Sequence, residues 1–108
     1  MTYSTKEREI LDQVVAALHG HYGKRLSRVV LFGSRARRDH HEYSDYDILV
    51  VLHGEFDISV ERKEVVELII PIDLTHDVFI SCLIMPERRF TTEDSILLRN
   101  VRAEGVPL

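Results

Sequence analysis

Residues 31–51 read "LFGSRARRDHHEYSDYDILVV". An apolar run ends on Gly33-Ser34, a spacer rich in arginine and histidine follows, and a second apolar run opens behind Asp45 and Asp47. Both runs are short, rich in β-branched residues and bounded by turn formers, so each reads as a buried strand. Alternate side chains of a strand share a face, which sends Asp45 and Asp47 to one side and Tyr46 to the other. Two carboxylates about 6–7 Å apart along a strand repel unless a cation sits between them. The pair either decorates an exposed strand end or holds a hard divalent cation such as Mg²⁺, which takes oxygen ligands and completes its shell from water and substrate phosphates.

Outward from this stretch the chain alternates helical and strand patterns. "STKEREILDQVVAALHGHYG" places Ile10, Leu11, Val14, Val15, Leu18 and Tyr22 at helical spacing, with Ser4 or Thr5 as cap and Gly20 or Gly23 as stop. "SRVVLFG" and "DYDILVVL" are the two strands already met. "DISVERKEVVELII" returns to helical spacing, capped by Asp57 or Ser59 and ended by Pro71. "DVFISCLIM" is a third strand stopped by Pro86, and "TTEDSILLRNVRAEG" a last helix capped by Thr91 or Thr92 and closed by Gly105. The segment from Pro71 to His76 fits either a helix end or a loop. Continuous apolar strands separated by helices predict an α/β fold: a small mixed sheet of three or more strands flanked by helices.

With 108 residues, 44% hydrophobic and 30% charged, the chain suits one domain, 1–108, with a modest core. A net charge of -4 gives no basis for general nucleic-acid binding. The single cysteine, Cys82, makes no intrachain disulfide and suits a reducing, cytoplasmic setting. The first ten residues lack the apolar core of a signal peptide, and no apolar stretch approaches the ~20 residues of a membrane span. The six histidines match no compact zinc-ligand spacing.

Gly33-Ser34 is the second half of the site. A glycine after a buried strand lets the backbone approach a ligand, and the free N–H groups of the following helical turn, with the Ser34 hydroxyl, suit phosphate oxygens. Arg35, Arg37 and Arg38 follow at once; they either offset phosphate charge or form a solvated helix face. A phosphate cradle ending one strand and metal ligands opening the next together describe a nucleotide site.

Gly33-Ser34, a ten-residue spacer, and Asp45-Tyr46-Asp47 before "ILVV" resemble the signature of the DNA polymerase β-type nucleotidyltransferase superfamily. "VVLFGS" and "SDYDILV" resemble its minimal nucleotidyltransferases in particular, as does the tail "ISCLIMPERRF…ILLRNVRAEGVPL". The resemblance implies a nucleotidyltransferase core and a single activity: transfer of a nucleoside monophosphate, AMP from ATP, onto a hydroxyl. It implies that Asp45 and Asp47 bind two Mg²⁺ ions, and that Gly33 and Ser34, with Arg35 and Arg38, bind the nucleotide. It also implies a third carboxylate on the next sheet strand, serving as metal ligand and base. Asp77, at the head of "DVFISCLIM", is the favoured position, and Asp73 the rival. A site with neither is the third possibility, since Phe79 and Ser81 stand where an acid would also fit. Small bacterial members resembling this chain are antitoxins that adenylylate a tyrosine of a HEPN-type ribonuclease partner, which makes such a partner protein the implied acceptor. The alternatives are a catalytically weak or inactive module of the same fold that scaffolds its partner by contact, and a transferase acting on a small molecule.

Overall fold

The computed structural model describes residues 3–108, and its element boundaries follow from local chemistry. Ser4 opens helix α1 (Thr5–Tyr22) through a capping box: its hydroxyl accepts from the Glu7 N–H while the Glu7 carboxylate accepts from the Ser4 N–H. Gly23 ends it at φ 54° and starts a 3₁₀ turn, Gly23–Arg25, that feeds strand β1 (Leu26–Phe32). Gly33 turns the chain directly into the short helix α2 (Gly33–Arg37), which Arg38 closes in the left-handed region at φ 66°. Strand β2 (Tyr46–Leu52), helix α3 (Ile58–His76) and strand β3 (Ile80–Pro86) follow. Two helices, α4 (Glu87–Thr92) and α5 (Ile96–Glu104), and a two-residue strand β4 (Val106–Pro107) complete the chain.

The sheet order is β3-β2-β1-β4. β1 runs antiparallel to both β2 and β4, whereas β2 and β3 are parallel, as the α3 crossover between them requires. Side-chain alternation splits the core in two. Leu31, Tyr46, Ile48, Val50 and Ile84 pack under α1 and α3, while Val30, Leu49, Val51 and Met85 pack under α5 with Leu98 and Val101. Along α5, Leu98 and Val101 are core, Leu97 is half-buried and Ile96 exposed.

The segment from Pro71 to His76, open between helix end and loop, is helix: α3 runs through Pro71 to His76. Pro71 lies on the exposed side, where the carbonyl its ring leaves unpaired meets water, and buried Ile69 and Ile72 hold the helix on either side. The last helix starts later than expected, because Ser95 rather than Thr91 or Thr92 accepts the N-terminal bond, from Leu98 N–H at 3.2 Å; Glu87–Thr92 forms a helix of its own. β4 is the fourth strand of a sheet expected to have three or more, and it is anchored by Leu108 N–H donating to the Val29 carbonyl.

Candidate active site

The ends of β1 and β2 meet where the sequence places its chemistry. Phe32 is the register partner of Asp47, so Gly33 lies against the Asp47 side chain. Gly33 has φ 73°, and a Cβ there would collide with Asp47 Oδ2. Glycine is thus required twice, for its backbone angle and for this close approach. Tyr46 turns into the core under α1, 2% exposed, and leaves Asp47 on the opposite face, half-buried, with Asp45 exposed just before the strand. Burial, and then the Asp45 charge, push the Asp47 carboxyl above its ordinary value, and Arg37 draws it back. A carboxylate already half-desolvated beside a second one is a donor set that a hard cation would relieve, so the pair fits Mg²⁺. Gly33, Ser34, Asp45 and Asp47 stand together at one end of the sheet.

The three arginines have different sets of partners. Arg35 is buried, its guanidinium 4.0 Å from the centre of the Tyr46 ring. It donates to Glu7 Oε2 at 3.1 Å and to the Ser44 and Glu42 carbonyls. Arg38 donates from both terminal nitrogens to Glu7, at 2.9 and 3.1 Å. Glu7 is 5% exposed. Burial alone would raise its carboxyl, but hydrogen bonds from Arg38, the Ser4 N–H and Arg35 bring it down to about 2. Arg35 thereby fixes the spacer that carries Ser44 and Asp45, while Arg38 pairs with the same glutamate and lines a surface cavity with His40 and Tyr46. Arg37 is the arginine whose charge reaches Asp47, while pairing with Asp39 at 3.0 Å and Glu104 at 3.7 Å. Sequence proximity could not separate the three, because Glu7 lies some thirty residues upstream.

The third carboxylate depends on the register of β3. Tyr46 pairs with Ile80 and Asp47 with Ser81, so the exposed Ser81 occupies the position beside Asp47. Asp77 is not on the strand: it caps α3 in the left-handed region at φ 53°. It does line a surface depression together with Asp45, Lys6, Glu42, Tyr43 and Phe79. Asp73 lies on α3 instead, where its carboxylate accepts from the Ile80 N–H at 3.0 Å. Burial raises its pKa and that bond lowers it.

A mixed sheet in which a Gly-Ser turn abuts an alternating acid pair defines a nucleotidyl-transfer core. The chain belongs to the nucleotidyltransferase domain family, whose profile matches residues 11–98. It is 34% identical over 100 residues to a Methanocaldococcus jannaschii protein named putative protein adenylyltransferase, covering 92% of this chain and 94% of that one. Among solved structures it is similar to a putative minimal nucleotidyltransferase, with TM-score 0.60, 22% identity and all of both chains covered. It is also similar to a chain of the complex between a tri-AMPylated Shewanella oneidensis HEPN toxin and its MNT antitoxin. There the TM-score is 0.61 and the identity 19%, with 93% of this chain and 69% of that one covered. At those identities the structures speak for the fold.

Proposed function

We propose that this chain transfers AMP from ATP to a hydroxyl of a partner protein, and that the partner is a HEPN-type ribonuclease which the transfer neutralises. The observation that carries the reading is the contact between Gly33 and the Asp47 carboxylate, which makes the phosphate turn and the acid pair one site. The named adenylyltransferase relative supports protein as the acceptor class, and the HEPN–MNT complex of like fold supports the partner. In this reading the N–H groups and hydroxyl at Gly33-Ser34 hold the β- and γ-phosphates, and Asp45 and Asp47 hold the Mg²⁺ ions. Those ions, when bound, stabilise the attacking and leaving oxygens of the displacement. The acceptor oxygen forms a bond to the α-phosphorus, the bond to pyrophosphate breaks, and the hydroxyl proton leaves to a carboxylate or water. Asp77, which shares a depression with Asp45, is the remaining candidate for that acid. Arg37 steadies the ionised Asp47, and Arg35 acts through the spacer it anchors.

Ser81 beside Asp47 favours a second reading, in which the fold binds its partner and nucleotide but transfers slowly. Incubation with α-labelled ATP, Mg²⁺ and the protein encoded beside this one separates them. Label on that protein, lost with Asp45→Asn and Asp47→Asn, supports transfer. No label together with Mg²⁺-dependent ATP binding by calorimetry supports the weak-transfer reading.

A further inference from the structure

At the far end of β1 from the acid pair, about 20 Å of strand away, a second cluster of ligand-bearing groups lies between the helices. His21, in the last turn of α1, places Nε2 3.1 Å from Glu64 Oε2 on α3. Glu61, one turn earlier on α3, is 7% exposed, and Arg25 donates to its Oε2 at 3.2 Å. One ligand atom from each of His21, Glu61 and Glu64 lies within 4.8 Å of the others. Two buried polar atoms here lack a partner among the described residues: Glu61 Oε1 and the hydroxyl of Tyr22, a residue 5% exposed. Tyr22 stands edge-on to the His21 ring, with Arg25 over its own face. A buried carboxylate oxygen without a hydrogen bond is costly, and a cation on it relieves that cost; the Tyr22 phenol, pushed up by burial and then by Glu61, stands against the same carboxylate.

We propose that His21, Glu61 and Glu64 form a binding site for a zinc-type divalent cation that ties the end of α1 to α3. The donor set is one imidazole nitrogen and two carboxylate oxygens, which suits Zn²⁺ better than Mg²⁺. The two carboxylates balance the charge of a dication beside a neutral imidazole. The His21–Glu64 separation of 3.1 Å is near the about 3.3 Å edge of a tetrahedron with bonds of ~2.0 Å. Arg25, bonded to the other oxygen of Glu61, orients that ligand from outside the metal shell. The fourth position is open to water, or to the Tyr22 hydroxyl. Histidine spacing alone conceals this site, because the glutamate that His21 meets lies 43 residues away.

Tag-free protein titrated with ZnCl₂ in millimolar Mg²⁺, followed by calorimetry and thermal unfolding, tests the proposal. One Zn²⁺ should bind per chain, and the melting temperature should rise by about 12 °C at a hundredfold excess over Kd. His21→Gln and Glu64→Gln, both at partly exposed side chains, should fold normally and each weaken binding by more than about tenfold. His53→Gln, at the exposed pair with Glu87, should leave it unchanged. Binding should persist in the Asp45→Asn/Asp47→Asn double variant. Equal Zn²⁺ binding by the wild type and the His21→Gln/Glu64→Gln double variant overturns the proposal, as does binding that disappears with the acid pair.

Discussion

Asp47 is held in a state that serves a cation and penalises the empty fold. Its folded pKa lies above the ordinary carboxylate value because of burial and then Asp45. The native state therefore favours the proton more than the unfolded chain does, and stability falls as pH rises through that raised value. Asp47→Asn should raise the melting temperature by about 2–5 °C without Mg²⁺, while abolishing label transfer; scanning calorimetry and the transfer assay check the two halves. Gly33→Ala should act oppositely on the fold. A methyl meeting Asp47 Oδ2 at φ 73° should cost about 1–3 kcal/mol, read as a lower midpoint in urea, and should also displace the acid. Gly33, Asp45 and Asp47 were legible in the sequence because the short covalent spacer between two strands fixes where they meet. The uses of Arg35, Arg37 and Arg38 were not, since a charge in the first turn of another helix selects among neighbours that the sequence presents as equals.

Helix α1 and the spacer before β2 are joined by Glu7. The same carboxylate caps the helix through the Ser4 N–H and receives Arg35 and Arg38. Its carboxyl falls from 4.5 to about 2 in the fold, so its contribution is complete above the unfolded value and is lost as pH drops from about 4.5 toward 2. Glu7→Gln should destabilise by about 3 kcal/mol, because it strands a buried Arg35 charge, and should flatten acid unfolding across that window when followed by circular dichroism. α3 carries the opposite kind of feature. Pro71 occupies an exposed helical position, so Pro71→Ala should restore a backbone bond and stabilise by about 1–3 kcal/mol, seen as a higher urea midpoint. Reading that proline as a stop also placed the next strand too early. The helix continues to His76 with Asp77 as its cap, so β3 opens at Ile80 rather than Asp77 and puts Ser81, not an acid, opposite Asp47.

At the scale of the molecule the two sheet faces do different work. The face under α1 and α3 carries the larger core cluster, while on the other face α5 covers Val30, Leu49 and Val51 and leaves the end bearing Asp47 and Ser81 less covered. Continuous apolar strands made a covered sheet legible from the sequence, but not the parallel register that decides which side chain flanks the acids. Ser81→Asp tests what that register means. The substituted carboxylate would project from an exposed position on the face of Asp47, so without Mg²⁺ it adds a third like charge and should lower the melting temperature by a few degrees. Mg²⁺ should reverse that loss, since each added oxygen ligand at one site favours the cation. If the wild-type chain is limited by a missing acid, the variant should also transfer AMP at least about tenfold faster, as a positioned base supplies. If Asp77 already serves from the depression it shares with Asp45, Ser81→Asp should leave the rate near wild type, and Asp77→Asn should remove most of it.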